Sequence, residues 1–212
     1  MIGFYNYSVI ATYFGLALSV AGMTLSFYGH FDYAILCLTL AGACDTFDGK
    51  IARSMKNRTE EMVIFGVQID SLCDLVCFGV TPAVISFNIG LKSIWGIVIE
   101  FLFILCGVIR LAFFNMLEEK KHLNPNLKEE KKYYRGLPIT TISVIYPIVF
   151  LLYEPLGQSV FTIIVAVMLA ITAFLYILDF KLKKPGNAFI TVLIVFVFIV
   201  MLKNLNFFGI FS

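Results

Sequence analysis

Charged residues are scarce in this sequence. Only 14% of its 212 residues are Asp, Glu, Lys or Arg, whereas 60% are hydrophobic, and the mean hydropathy is +0.91. A soluble domain needs more polar surface than this composition supplies. We therefore expect an integral membrane protein that lies in a lipid bilayer and has no nucleic-acid partner.

Histidine and cysteine are also few. The two histidines, His30 and His122, are isolated, which argues against a zinc or haem site. The five cysteines all lie in apolar segments and are odd in number: Cys37, Cys44, Cys73, Cys77 and Cys106. Cys73 and Cys77 share a helical face and could hold a soft metal, but buried thiols acting as small hydrophobic groups are the favoured interpretation. A secretory signal pattern is lacking at the N-terminus.

Long hydrophobic runs are abundant. Seven segments reach about the 20 residues that a membrane-spanning helix needs. Their bounds are 7–28, 31–52, 62–87, 93–116, 137–153, 159–178 and 188–206. They leave no room for a separate soluble domain. The sequence thus predicts an all-α fold, a polytopic bundle of seven transmembrane helices in which residues 1–212 form a single integral membrane domain.

Basic residues alternate from one side of these segments to the other. Thirteen of the 16 lie in the polar stretches 50–58, 120–135 and 181–184, whereas Lys92 and Lys203 lie in the intervening ones. Loops rich in Lys and Arg remain in the cytoplasm. The pattern predicts a cytoplasmic N-terminus and an external C-terminus, which is consistent with seven spans.

Four aspartates lie near the cytoplasmic ends of the second and third hydrophobic segments. Asp45 and Asp48 are three residues apart, and Asp70 and Asp74 are four apart, so each pair shares one face of a helix. A carboxylate within a membrane span is costly and indicates a functional site. At 1.5 Å per residue the two pairs lie at overlapping depths. Because four converging carboxylates repel one another, we predict a divalent-metal site.

These aspartates belong to a longer pattern. It reads Asp45-x2-Asp48-Gly49-x2-Ala52-Arg53-x12-Gly66-x3-Asp70-x3-Asp74. The pattern resembles the signature of the CDP-alcohol phosphotransferase family, with every signature position filled and a core over residues 41–82. The resemblance implies a helical membrane bundle with six core spans, usually a homodimer. Our seven predicted spans then contain one addition.

The resemblance also assigns roles to the signature residues. It implies transfer of a phosphatidyl group from a CDP-lipid to an alcohol, with release of CMP and two divalent cations, Mg²⁺ or Mn²⁺, in each site. The metal ligands would be Asp45, Asp48, Asp70 and Asp74, of which Asp74 would also be the catalytic base. The CDP-lipid pocket would contain Asp48, Gly49, Ala52, Arg53 and Gly66.

Three further stretches resemble the phosphatidylserine synthase branch of that family: residues 70–82, 110–115 and 134–138. This implies CDP-diacylglycerol and L-serine as substrates, with Arg110 and Arg135 as acceptor-binding candidates. Arg110 could equally be a structural partner of a signature aspartate or of Glu100. The sequence departs from the branch at Phe113, where the branch has arginine, and at its N-terminal stretch.

Two alternatives remain open on the sequence. The same transfer could use glycerol 3-phosphate or an inositol phosphate as acceptor. A cation transporter could also line its path with aspartates, although it has no need of the glycines and Arg53 at their intervals. The favoured interpretation is an enzyme in phospholipid biosynthesis, in a prokaryotic cell membrane, with its active site facing the cytoplasm.

Overall fold

A computed structural model describes residue 4 and residues 7–54, 59–123 and 133–183, without the side chains of residues 7–8, 48–54, 121–123, 133–135 and 181–183. The described residues form seven α-helices and two short strands. They are α1 (Tyr7–Phe27), α2 (Phe31–Ser54), α3 (Glu60–Asp74), α4 (Thr81–Ile89), α5 (Ile94–Leu123), β1 (Tyr133–Arg135), α6 (Ile142–Phe150), α7 (Tyr153–Ile177) and β2 (Lys181–Lys183). A π-helical turn, Leu75–Val80, links α3 to α4, and a 3-10 turn, Ile139–Thr141, precedes α6.

The helices are those of a membrane protein. Within the described residues, four stretches are long and apolar enough to cross a bilayer: Val9–Phe27, Glu60–Ile89, Ile94–Lys120 and Tyr153–Ile177. A shorter apolar helix covers Ile139–Phe150. The first six predicted segments thus each correspond to a helix or to a continuous run of helices. The seventh, 188–206, lies outside the described residues, so the total of seven remains a prediction.

The second helix differs from these four because it carries the first aspartate pair. It is 24 residues long, enough to cross a bilayer, but its acidic and basic residues lower its hydropathy. It packs along α1. A Cβ at Gly22 of α1 would lie 3.1 Å from the Cβ of Cys37 and 3.2 Å from the carbonyl oxygen of Ala34. Glycine therefore permits the close approach of the two backbones.

The third predicted segment is one helical run with a wide turn in its middle. The run begins at the N-cap Thr59, whose side chain accepts a hydrogen bond from the amide of Met62. Regular α-helix stops at Asp74, and the amide and hydroxyl of Thr81 both donate to the carbonyl of Val76. Pro82 has no amide hydrogen to donate, which favours such a break in the regular pattern. π-Helical turns of this kind are frequent at functional sites.

Two helices differ in length from the predictions. Helix α5 extends to Leu123, beyond the predicted end at residue 116, because the Glu and Lys residues that follow favour helix although they are polar. Helix α7 begins at Tyr153 but contains a non-helical residue, Gly157, with φ 73°. The helix beyond that kink matches the predicted segment 159–178.

Hydrophobic side chains lie both inside the bundle and on its outside. Ile35, Phe103, Tyr146 and Leu169 are fully buried at its centre. Exposed apolar side chains cover the outer faces of α5 and α7: Ile94, Trp95, Phe101, Ile109, Ile163, Ile171 and Phe174. In water such faces would be unfavourable, whereas lipid tails solvate them.

A small ribbon at one end of the bundle was not predicted. Strands β1 and β2 pair antiparallel, with Tyr133 opposite Lys183 and Arg135 opposite Lys181. The turn after β1 is held by the amide of Gly136, which donates to the carbonyl of Phe180. Strands of three residues carry too little periodicity to be recognised in a sequence. Apart from this ribbon, every regular element in the described residues is helical.

One glycine allows α6 to approach α2. A Cβ at Gly42 would lie 2.6 Å from the Cβ of Ser143, whose hydroxyl is itself bonded to the carbonyl of Thr140. We expect Gly42→Ala to destabilise the protein by about 1–3 kcal/mol, because the helices must separate. Gly15→Ala is the matched control, since its Cβ meets the Cβ of Cys44 at an ordinary 3.6 Å. Thermal unfolding in detergent checks this, and equal midpoints for the two variants would contradict it.

Candidate active site

Three of the four signature aspartates meet in one cluster. Asp45, Asp70 and Asp74 each offer a carboxylate oxygen, and these oxygens lie within 4.8 Å of one another. All three side chains are partly buried. Asp45 comes from α2 and the other two from successive turns of α3, so tertiary packing brings together residues up to 29 positions apart. The predicted convergence of the two helices is confirmed for these three residues.

The first helix forms the remaining wall of the cluster. A cavity of about 10 Å³ lies between α1, α2 and the end of α3, which is about the space of one water molecule. Its lining comprises Ala11, Thr12, Gly15, Ala41, Asp45, Cys73, Asp74, Cys77 and Phe78. The acidic cluster therefore lies where three helices meet.

The cluster is suited to a hard divalent cation. Carboxylate oxygens are the ligands that Mg²⁺ takes in proteins, and oxygens on one Mg²⁺ are at most about 4.2 Å apart. Small side-chain rotations would bring the three oxygens, now within 4.8 Å, onto one ion. Without a cation, two carboxylates 4.8 Å apart repel by about 3 kcal/mol at an effective dielectric constant of about 20. Bound metal would offset that repulsion.

The two cysteines beside the cluster are both buried. Cys73 and Cys77 are each 4% exposed, are not joined in a disulfide, and line the same cavity as Asp45 and Asp74. Their burial agrees with the favoured interpretation as small hydrophobic groups, although they border the acidic cluster. The oxygen-rich donor set suits a harder ion than thiols would select.

The predicted CDP-lipid residues lie along the same two helices. Asp48, Gly49, Ala52 and Arg53 occupy the last two turns of α2, beyond Asp45, and their side chains lie outside the described residues. Gly66 lies on α3, one turn before Asp70 on the same stripe. The backbone thus arranges these positions in series from the acidic cluster toward one end of the bundle.

The acceptor candidate Arg110 lies at the junction of α5 and α7. Its guanidinium is buried, donates to the carbonyl of Tyr176 at 3.4 Å, and lies 4.5 Å from the ring centre of Phe114. It lines a cavity of about 230 Å³ together with Asp179, separate from the small cavity at the acidic cluster. A positive group is favourable at the carbonyl end of a helix such as α7.

Glu100, the other possible partner of Arg110, lies apart from it. Glu100 is buried on α5, ten residues away, which is about 15 Å along the helix and too far for an ion pair. Its Oε1 has no hydrogen-bond partner among the described residues. Arg135 ends β1, and its side chain lies outside the described residues.

Sequence reasoning missed the contribution of α1. Thr12 and Gly15 line the cavity beside Asp45 and Asp74. They are three residues apart and so share one face of α1, and small residues on one face of a membrane helix are typical of a helix contact. That signal was present, but nothing in the sequence shows which helix α1 meets.

This fold and this cluster define the class of the protein. It is a polytopic helical membrane protein whose acidic site is built by its first three helices. The family model described as CDP-alcohol phosphatidyltransferase matches residues 5–178. The chain belongs to that family.

Three relatives illustrate this similarity. A CDP-diacylglycerol–serine O-phosphatidyltransferase of Saccharomyces cerevisiae is 39% identical over 119 residues, covering 56% of this chain and 41% of the relative. An archaetidylserine synthase of Methanothermobacter thermautotrophicus is 32% identical over 150 residues, covering 68% and 58%. A CDP-diacylglycerol–serine O-phosphatidyltransferase of Bacillus subtilis is 28% identical over 137 residues, covering 64% and 70%. The chain thus spans about two fifths to three fifths of the first two relatives.

Proposed function

We propose that this protein transfers the phosphatidyl group of CDP-diacylglycerol to the hydroxyl of L-serine, giving phosphatidylserine and CMP. The observation that carries the proposal is the convergence of Asp45, Asp70 and Asp74, three signature positions of the family, within 4.8 Å. Membership of the family supports the reaction type. The names of the relatives support serine as the acceptor.

In this reaction Asp74 is the general base. Its carboxylate takes the proton of the serine hydroxyl while the hydroxyl oxygen bonds to the phosphorus that carries diacylglycerol. The bond from that phosphorus to the bridging oxygen breaks, and CMP leaves with the electron pair. Asp74 is suited to this role because it ends the regular part of α3, immediately before the π-helical turn, and lines the cavity at the cluster.

The other signature residues would hold the pyrophosphate end of the substrate. Asp45, Asp48 and Asp70, with Asp74 shared, would ligate two Mg²⁺ or Mn²⁺ ions. When bound, such cations neutralise the charge that develops on the phosphoryl oxygens. Gly49, Ala52 and Gly66 would leave space for the nucleotide, and the planar fork of Arg53 would meet a phosphate.

For the acceptor, Arg110 is our candidate for the serine carboxylate, with Arg135 as a second. A carboxylate and a guanidinium can form two parallel hydrogen bonds, and the cavity beside Arg110 is about 230 Å³. The contact of Arg110 with the carbonyl of Tyr176 also gives it a structural function at the end of α7. The test must therefore separate binding from stability.

The remaining parts of the proposal concern the setting of the enzyme. The basic stretches support an orientation with the acidic cluster near the cytoplasmic face of a prokaryotic cell membrane. Nucleotide and serine would then enter from the cytoplasm while the lipid tails stay in the bilayer. We also propose a homodimer, with seven membrane spans in each copy.

The test is release of CMP by the purified protein with CDP-diacylglycerol and Mg²⁺, comparing serine, glycerol 3-phosphate and inositol phosphate. We expect release with serine alone. A parallel series with a CDP-activated archaeol ether addresses the donor, since one relative is an archaetidylserine synthase. Release only with a phosphorylated acceptor would overturn serine, and release with none of them would overturn the proposed activity.

The same assay on Arg110→Lys tests the acceptor site. Lysine keeps the positive charge but loses the planar fork, so we expect KM for serine to rise at least about tenfold while KM for the CDP-lipid stays unchanged. A lowered melting temperature with an unchanged KM for serine would leave Arg110 with its structural function only.

A further inference from the structure

One asparagine joins α5 to the helix that carries two of the aspartates. The side-chain oxygen of Asn115 accepts a hydrogen bond from the hydroxyl of Ser71 at 2.7 Å. Its side-chain nitrogen donates to the side-chain oxygen of Gln68 at 3.3 Å. The side-chain oxygen and nitrogen of Asn115 are thus both hydrogen-bonded to α3. The proposed reaction assigns no function to these two hydrogen bonds.

The two bonds attach to the side of α3 next to its acidic face. With about 100° per residue, Ser71 lies about 60° around the helix from Asp74 and about 100° from Asp70. Gln68 lies about 60° further from that face. Two attachments one turn apart resist both rotation of α3 about its axis and sliding along it.

Rotation of α3 matters because metal ligands tolerate little displacement. A carboxylate oxygen lies about 6 Å from the helix axis, so a rotation of about 30° would move it by about 3 Å. The oxygens of Asp45, Asp70 and Asp74 now lie within 4.8 Å of one another, and such a movement would separate them. The π-helical turn that follows Asp74 interrupts the regular hydrogen bonds on that side. The lateral hydrogen bonds from Asn115 therefore add to the packing of α3 against α1 and α5 in holding the angle.

We propose that Asn115 is a positioning residue for the metal site: through Ser71 and Gln68 it holds α3 at the rotation that points Asp70 and Asp74 toward Asp45. The inference rests on the proposed function, because it assumes that the three carboxylates bind metal. In this proposal Asn115 contacts neither the metal nor the substrates, and acts through α3.

The chain contains a matched bond elsewhere. Asn88 of α4 donates its side-chain amide to the hydroxyl of Ser26 of α1 at 2.8 Å, so it too is an asparagine–serine bond between helices. Asn88 lies 14 residues beyond Asp74, or about 21 Å. Removing it should cost stability as removing Asn115 does, but should leave the metal site unchanged.

The experiment measures Mn²⁺ affinity by electron paramagnetic resonance on the purified protein, together with melting temperature and KM for serine. We expect Asn115→Leu to weaken Mn²⁺ binding by about tenfold, as changes that reorient ligands typically do. Asn88→Leu should lower the melting temperature by a comparable amount and leave Mn²⁺ affinity within about twofold of wild type. Ser71→Ala is the milder second variant and should weaken Mn²⁺ binding in the same direction.

The double variant Ser71→Ala/Asn115→Leu is expected to bind Mn²⁺ no more weakly than Asn115→Leu alone. Both changes remove the same hydrogen bond, so their effects should not add. Unchanged Mn²⁺ affinity in Asn115→Leu and Ser71→Ala, with a wild type that binds Mn²⁺, would overturn the inference and leave the proposed function intact. A raised KM for serine at unchanged Mn²⁺ affinity would also overturn it, since Asn115 would then contact the acceptor. A wild type that binds no Mn²⁺ would overturn both.

Discussion

Asp74→Asn is expected to lower kcat at least about 10³-fold, within the range that general-base catalysis contributes. Asparagine has nearly the same shape and leaves the helix intact, but it cannot accept a proton at neutral pH. We therefore expect the protein still to bind the CDP-lipid, with a loss of affinity much smaller than the loss of kcat, since Asp45 and Asp70 remain in the cluster. Single-turnover CMP release and equilibrium binding of a CDP-lipid measure the two effects separately.

Glu61→Gln is the matched control for this variant. Glu61 is an exposed carboxylate in the first turn of the same helix, 13 residues or about 20 Å from Asp74, and its loss should leave kcat unchanged. If Asp74→Asn turned over at the wild-type rate, another group would have to remove the serine proton. If it failed to bind the CDP-lipid, its main function would be in binding rather than in proton transfer.

Asp45→Asn is expected to raise the Mg²⁺ concentration for half-maximal activity at least about tenfold and to weaken binding of the CDP-lipid. The side chain contributes one of the three oxygens of the cluster, and an amide oxygen is a weaker ligand for a hard cation than a carboxylate. The variant also removes a repulsive charge. Without divalent cations its melting temperature should therefore equal or exceed that of wild type, whereas added Mg²⁺ should stabilise it less.

The control is Asp32→Asn, at the opposite end of the same helix. Asp32 lies in the first turn of α2, 13 residues or about 20 Å from Asp45. The Mg²⁺ requirement of the Asp32→Asn variant should therefore equal that of wild type. An Asp45→Asn protein with the wild-type Mg²⁺ requirement would remove Asp45 from the metal ligands. If the protein were instead a cation transporter, the alternative left open on the sequence, it would carry ions and release no CMP.

Much of the site followed from the sequence because its residues are close in the chain and lie on regular helices. Helical spacing alone placed Gly66, Asp70 and Asp74 on one stripe of α3. Hydropathy located the helical segments, since a span needs about 20 apolar residues, although α5 and α7 are longer than it predicted. The convergence of Asp45 with the second pair followed from antiparallel neighbours that share a short connection.

Other contacts did not follow, because they depend on how the helices pack. Thr12 and Gly15 of α1 lie 30 or more residues before the aspartates of the cluster. Asn115 lies 44 residues after Ser71 and 47 residues after Gln68, to which it is hydrogen-bonded. A polar side chain in a membrane helix indicates that a partner is needed. It does not indicate which helix provides that partner.

The sequence by itself therefore determined the class of the protein, its first six helical segments and the three aspartates that meet in the cluster, because bilayer thickness and helical periodicity act locally along the chain. The tertiary structure alone decided that α1 lines the cavity at the cluster, that Ser143 packs closely against Gly42, and that Arg110 lies against the end of α7. Lipid solvates every apolar face about equally, so hydrophobicity cannot select helix neighbours. Close packing and interhelical hydrogen bonds select them, and those exist only in the folded bundle.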